Sequence, residues 1–108
     1  PKRPKRERPL VLSVDDGAVN QAVIEDVLGK ACDVRSVTGG GAAIEYLETC
    51  GPGLPDVVVL DAVIVGVSGI DVRQHIRKQM GLSAEELPVL MVAASCSKAW
   101  WDEDLVIG

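Results

Sequence analysis

Three aspartates in this 108-residue chain follow short apolar runs, at positions where their carboxylates could act together. Asp15 and Asp16 come directly after the run at residues 10–14, and Asp61 comes directly after the run at residues 57–60. Carboxylate oxygens are the ligands that Mg²⁺ prefers, and a carboxylate can also act as a nucleophile. The triplet therefore predicts a magnesium site with a nucleophilic aspartate. Each aspartate taken alone is equally well explained as a helix cap or a strand end.

The elements that position these aspartates alternate along the chain. Apolar runs typical of buried strands and segments with helical spacing of apolar residues follow one another at residues 10–14, 18–29, 32–37, 42–49, 57–60, 70–79, 89–92 and 97–107. Alternating strands and helices predict a parallel sheet with right-handed crossovers and helices on both faces. In the strand order 2-1-3-4-5, the first and third strands are neighbours, and ligands bind at the carboxyl ends of such strands. We therefore expect the three aspartates to meet in one crevice.

Charge is unevenly distributed along the chain. Five of the first eight residues are basic, so residues 1–9 predict a solvated linker that is disordered in isolation, with a nucleic-acid, membrane or targeting contact as the alternative. The rest of the chain is strongly acidic, which argues against nucleic acid as a partner of the globular body. No apolar run is long enough to span a membrane. Three separated cysteines without a C-x-x-C pair favour free thiols in a reducing cytoplasm.

The motifs around the aspartates resemble one family. V-L-S-V-D-D at residues 11–16, V-V-V-L-D at 57–61, G-V-S-G at 66–69 and P-V-L-M-V-A-A at 88–94 are similar to the receiver domain of two-component signalling, most of all to receivers of hybrid histidine kinases. The resemblance covers residues 10–108. It implies a flavodoxin-like, doubly wound parallel sheet and a regulatory phosphoacceptor domain rather than an enzyme.

The same resemblance implies a role for each residue of the site. Asp61 is the implied phosphoacceptor in a phosphorelay. Asp15, Asp16 and Asp61 are the implied Mg²⁺ ligands, together with the backbone carbonyl of Val63. A histidine kinase or a phosphotransfer protein is the implied phosphoryl donor.

Two departures from the family pattern raise an alternative function. Ala93 stands where the family has Thr or Ser, so the switch position lacks its hydroxyl. The family's lysine at the end of a fifth strand has no counterpart, because we expect the chain to end within a last helix at residues 97–107. Lys98 at the start of that helix is a poor substitute. The alternative is a degenerate pseudo-receiver that works by protein contacts without stable phosphorylation. A hydrolase of the haloacid dehalogenase type is disfavoured, since Asp61-Ala62-Val63 lacks the second acid of its D-x-D motif.

An incomplete receiver of about four strands would leave its fourth strand, residues 89–92, at the edge of the sheet. An uncovered edge of this kind pairs readily with another chain, and the last helix would expose apolar side chains beside it. We therefore expect a homo-oligomer, most simply a two-fold dimer joined through the fourth strand and the last helix. The interface candidates are Leu90, Val92, Trp100, Trp101 and Leu105, and at most one of the two adjacent tryptophans is expected to pack inward.

Overall fold

The computed structural model describes residues 6–61, 69–93 and 98–101 as a five-stranded sheet with helices on both faces. Its elements are β1 (Leu10–Val14), α1 (Ala18–Leu28), β2 (Asp33–Val37), α2 (Gly40–Thr49), β3 (Val57–Asp61), α3 (Gly69–Gln74), β4 (Val89–Ala93) and β5 (Lys98–Trp101). Helix α3 continues directly into a π-helical turn, His75–Gln79. The strand order is β2-β1-β3-β4-β5, and β1 to β4 are parallel. The flavodoxin-like fold expected from the sequence is confirmed.

The sheet has its main core on the face that α2 and α3 cover. Strand β3 reads V-V-V-L, and such β-branched runs pack well between parallel neighbours. Alternate strand residues point to this face and are almost completely buried: Leu12, Val14, Val58, Leu60, Val89 and Met91. Ala43 and Leu47 of α2 pack against them, as do Val72 of α3 and Ile76 of the π-helical turn. Each large apolar side chain buried in this way stabilises the fold by roughly 1.5–3 kcal/mol.

Helix α1 lies on the other face. The connections from β1 to β2 and from β2 to β3 run in opposite directions across the sheet, so right-handed crossovers place α1 and α2 on opposite faces. None of the residues of α1 is buried, and its side chains Val19, Val23 and Val27 are 77%, 56% and 59% exposed. This apolar stripe stays open to solvent in the described part of the chain. No helix within the described ranges has the length and apolar character to cross a membrane.

The C-terminal part differs from the sequence prediction. Residues 98–101, predicted as part of a helix, form β5, which pairs antiparallel with β4. The prediction that β4 is the edge strand is therefore wrong, and the described sheet has five strands rather than four. The physical reason is that an unpaired strand edge offers a row of backbone donors and acceptors, while adjacent tryptophans favour extended structure. Leu105 and the rest of the predicted helix lie outside the described residues.

The two tryptophan side chains point to different sides, as expected, although they lie in a strand rather than in a helix. In an extended strand, successive side chains point to opposite faces. Trp100 is paired with Met91 and packs against the main core, whereas Trp101 is paired with Leu90 and is 44% exposed. At most one tryptophan packs inward, as predicted.

The described part of the basic N-terminal segment, residues 6–9, contacts the amino edge of the sheet. Arg6 donates from Nη1 to Asp56 Oδ2 over 3.1 Å and from Nη2 to the carbonyl of Leu54 over 2.8 Å. Arg8 donates from Nε to Asp33 Oδ1 over 3.1 Å and from Nη2 to the carbonyl of Gly29 over 2.6 Å. These arginines join the segment before β1 to the loop before β3 and to the loop and first residue of β2. The domain boundary after residue 9 stays a prediction.

A short turn before β4 carries a reciprocal cap. The Ser83 amide donates to Glu86 Oε1 over 3.0 Å, and the Glu86 amide donates to Ser83 Oγ over 3.2 Å. The sequence pattern Ser-x-x-Glu predicts this capping box. The hydrogen bond from the Ser83 amide lowers the pKa of Glu86 because it stabilises the charged carboxylate.

Candidate functional site

The three aspartates meet at the carboxyl edge of the sheet. Strand β1 pairs with β3 so that Val14 lies opposite Leu60, and the residues that follow these two are Asp15 and Asp61. One carboxylate oxygen from each of Asp15, Asp16 and Asp61 lies within 4.8 Å of the others. We call these three residues the acidic cluster. Asp15 is buried, Asp61 is half-buried and Asp16 is exposed, so the cluster opens toward solvent on one side.

The backbone around Asp15 is fixed by several hydrogen bonds. The Gly17 amide donates to Asp15 Oδ1 over 2.7 Å, which orients the carboxylate. The Asp15 amide donates to the carbonyl of Val37 over 3.2 Å and so extends the contact between β1 and β2. A Cβ atom at Gly17 would lie only 3.2 Å from Asp15 Oδ1, so glycine allows the loop to pass close to the carboxylate.

A second polar residue also fixes this loop. Gln21 of α1 donates from Nε2 to the carbonyl of Asp15 over 2.6 Å and to the carbonyl of Val37 over 2.8 Å. Sequence reasoning missed this residue. A glutamine on a helix gives no signal that separates it from any surface polar residue, and only the folded loop brings the two carbonyls within its reach.

A pocket of about 180 Å³ lies beside the acidic cluster on the α1 face. It is lined by Asp15, Asn20, Val23, Ile24 and Val92. Val92 is therefore a wall of the pocket rather than part of an exposed strand edge. The pocket joins the buried carboxylate of Asp15 to the apolar stripe on α1.

The end of β4 lies beside the cluster. Asp61 is paired with Val92, and the next residue of β4, Ala93, is paired with Lys98 of β5. Ala93, at the position where the resemblance implies a hydroxyl, has only a methyl group as its side chain. Lys98 begins a strand and not a helix, so the register places it at the same edge of the sheet as Asp61. Val63, whose carbonyl is an implied Mg²⁺ ligand, lies outside the described residues.

The acidic cluster has the size and chemistry of a Mg²⁺ site. Mg²⁺ binds oxygens at 2.0–2.1 Å, so two oxygens on opposite sides of the ion lie about 4.2 Å apart. The carboxylate oxygens of the cluster are separated by 4.8 Å or less, so small side-chain rotations would bring them to coordination distance. Mg²⁺ also keeps several waters and needs only one or two carboxylates. The residues present therefore fit this ion.

Comparison with known proteins gives a consistent result. The family model of the response regulator receiver domain matches residues 11–106. The fold is similar to the signal receiver domain of a putative Luxo repressor protein from Vibrio parahaemolyticus, with 25% identity, 80% of this chain and 62% of that chain covered, and a TM-score of 0.66. It is also similar to the receiver domain of the Francisella response regulator 1452, with 25% identity, coverage of 84% and 70%, and a TM-score of 0.69.

A third similar structure is a response regulator receiver protein from Pseudomonas putida, with 29% identity, coverage of 82% and 70%, and a TM-score of 0.62. The matched part thus spans 62–70% of the length of these solved chains. No curated protein sequence matches the chain.

Proposed function

This chain belongs to the response regulator receiver family, and we propose that it is the receiver module of a two-component phosphorelay in which Asp61 accepts a phosphoryl group. The donor is a phosphohistidine of a histidine kinase or a phosphotransfer protein. The observation that carries the proposal is the acidic cluster, whose carboxylate oxygens lie within 4.8 Å of one another. A structural role for each aspartate alone does not require the three to meet.

The proposed transfer is a displacement at phosphorus. A carboxylate oxygen of Asp61 attacks the phosphorus atom, and a P–O bond forms while the P–N bond to the donor imidazole breaks. The imidazole nitrogen keeps the electron pair of the broken bond and takes up a proton from solvent. Asp61 is half-buried at the end of β3, and we expect a donor histidine to approach it from the carboxyl edge of the sheet. The product is an acyl phosphate on Asp61.

Asp15 and Asp16 would hold Mg²⁺ together with Asp61 and the backbone carbonyl of Val63. When bound, the ion neutralises the charge of the phosphoryl oxygens. The chain's own contribution is to fix the ligands: the Gly17 amide orients the Asp15 carboxylate, and the strand ends hold the other carboxylates close by.

The residue paired with Ala93 is part of the proposal. Ala93 cannot donate a hydrogen bond to a phosphoryl oxygen, so another group has to stabilise that oxygen. The backbone of Lys98 is paired with that of Ala93 at the carboxyl edge of the sheet, so Lys98 is the lysine whose contribution to this site has to be tested.

The apolar stripe on α1 is the proposed contact for the donor protein. Val19, Val23 and Val27 are more than half exposed, and Val23 also lines the pocket that holds Asp15. Exposed apolar surface next to a reactive carboxylate is typical of a protein interaction site. The small phosphodonor phosphoramidate needs no such contact. Val27→Lys, on the same stripe but outside the pocket, should therefore slow transfer from a donor protein and leave phosphorylation by phosphoramidate unchanged, and equal slowing of both would contradict this assignment.

The alternative function is a pseudo-receiver that acts through protein contacts alone, and the specific observation in its favour is the methyl group of Ala93.

Self-association stays a prediction, but the surface through which two copies would meet has changed. Because β5 covers β4, a second copy would have to meet β5, where Trp101 is 44% exposed, rather than Leu90 and Val92. A place within a larger hybrid histidine kinase and a cytoplasmic location also belong to the proposal, supported by the motif resemblance and the free thiols.

The proposal is tested with beryllofluoride, a phosphoryl mimic that occupies such sites only with Mg²⁺. Beryllofluoride and Mg²⁺ together should raise the unfolding temperature of the wild type and should leave that of Asp61→Asn unchanged. Lys98→Gln should weaken the response, whereas Lys78→Gln, at an exposed lysine of the π-helical turn, serves as the matched control and should respond like the wild type. A wild type that gives no response would favour the pseudo-receiver.

A further inference from the structure

Gln21 connects the first turn of α1 to the ends of two strands. Its Nε2 group donates to the carbonyl of Asp15 over 2.6 Å and to the carbonyl of Val37 over 2.8 Å. A primary amide has two N–H donors, so both are used in these contacts. We propose that Gln21 is a positioning residue that holds the backbone of Asp15 in the conformation needed for Mg²⁺ binding. This inference rests on the function proposed above.

The contacts of Gln21 belong to a closed network. The carbonyl of Val37 accepts from Gln21 and also from the Asp15 amide over 3.2 Å. The peptide groups on both sides of the Asp15 Cα atom are therefore held, one through its N–H and the other through its C=O. With both peptide groups fixed, the direction of the Cα–Cβ bond is also fixed. Gly17 then orients the carboxylate itself through the bond to Oδ1.

The position of this network shows why its effect falls on the site. The pairing of β1 with β2 ends at Val14 and Val37, so Asp15 is the first residue beyond the ladder. A contact inside the ladder would stabilise the sheet as a whole, whereas a contact one residue past its end fixes the conformation of the loop. Asp15 is only 6% exposed, so water cannot readily replace a lost donor to its carbonyl.

The role is distinct from ligation. The Gln21 amide contacts backbone carbonyls and no carboxylate oxygen of the cluster in the contacts described, so it acts through Asp15. Residues that orient metal ligands in this way commonly contribute 10–100-fold to metal affinity. The expected effect is therefore on the dissociation constant of Mg²⁺ and not on which residues bind the ion.

The experiment measures Mg²⁺ binding to the full chain by isothermal titration calorimetry, with unfolding followed in parallel. Gln21→Met keeps the length of the side chain and removes both donors, and it should weaken Mg²⁺ binding by roughly 10–100-fold. Gln21→Arg retains two N–H donors for the two carbonyls and should restore affinity toward the wild-type value. Gln79→Met, an exposed glutamine on the opposite face, is the matched control and should bind like the wild type.

The outcomes separate this inference from the proposed function. If Gln21→Met unfolds more easily but binds Mg²⁺ as tightly as the wild type, Gln21 is merely structural and the inference is overturned. If Gln21→Arg binds as weakly as Gln21→Met, the donors are not what matters, which also overturns it. If Gln21→Met does not fold, the shorter Gln21→Asn should show a partial loss of affinity, and unchanged binding in that variant contradicts the inference. A wild type that binds no Mg²⁺ would overturn the proposed function together with this inference.

Discussion

The two edges of the sheet use aspartates in different ways. At the amino edge, Asp56 contacts Arg6 and Asp33 contacts Arg8, each with a nitrogen–oxygen distance of 3.1 Å. At the carboxyl edge, the acidic cluster brings three carboxylates within 4.8 Å of one another. The amino edge neutralises its acids with the chain's own arginines. The carboxyl edge concentrates negative charge, and in our proposal a metal ion and an incoming phosphoryl group complete it.

The same residue type is paired with arginine at one edge, and at the other edge we expect it to cost stability in the absence of a cation. Carboxylates held together repel unless a cation lies between them. Asp56 also accepts from the Leu10 amide over 2.8 Å, so it acts as a structural anchor for the start of β1. Substitutions at the two edges should therefore differ in what they change, and each of the following predictions tests that difference.

The largest expected effect is on stabilisation by Mg²⁺. A ligand that binds only the folded state stabilises it by about 2.7 kcal/mol at a concentration 100 times its dissociation constant. Mg²⁺ should stabilise the wild type and the amino-edge variant Asp33→Asn alike, and Asp16→Asn much less. Thermal unfolding across a Mg²⁺ titration measures this. Equal Mg²⁺ responses in Asp16→Asn and Asp33→Asn would show that the ion does not bind at the acidic cluster.

A smaller effect is expected at the anchored amino edge. Arg6→Gln removes a charge-assisted contact to Asp56 and a hydrogen bond to the carbonyl of Leu54, and it should lower the free energy of unfolding by about 1 kcal/mol. Mg²⁺ affinity should stay unchanged in this variant. Urea unfolding checks the stability, and a double-mutant cycle with Asp56→Asn isolates the pair. No loss of stability in Arg6→Gln would show that the N-terminal segment does not anchor β1.

The smallest effect is expected for Arg8. Its side chain is 44% exposed and that of Asp33 is 65% exposed, so solvent screens their ion pair. Arg8→Gln should cost only about 0.5 kcal/mol, and added salt should reduce the difference from the wild type. Urea unfolding at low and high salt measures both quantities. A loss larger than that of Arg6→Gln would reverse the ranking of the two anchors.

Sequence patterns predicted the parts of the fold that repeat a local rule. Apolar runs gave β1, β3 and β4, and strand order alone was enough to bring Asp15 next to Asp61. The prediction failed at residues 98–101. There, pairing with the edge of β4 outweighs the helical spacing of the apolar residues, so these residues form a strand. Gln21 was missed for a related reason, since its two acceptors are backbone carbonyls with no side-chain signature. Tertiary contacts of the backbone leave little trace in a sequence.

We propose that the carboxyl edge is a phosphoacceptor site built around Asp61. Phosphorylation at this residue is measured by treating the protein with phosphoramidate and Mg²⁺, followed by mass spectrometry of the intact chain and of its peptides. We expect the mass of one phosphoryl group on the peptide that contains Asp61, dependent on Mg²⁺ and absent in Asp61→Asn. Asp56→Asn, at the amino edge, should be phosphorylated like the wild type. No gain of mass in the wild type, or a gain that persists in Asp61→Asn, would show that Asp61 is not the phosphoacceptor.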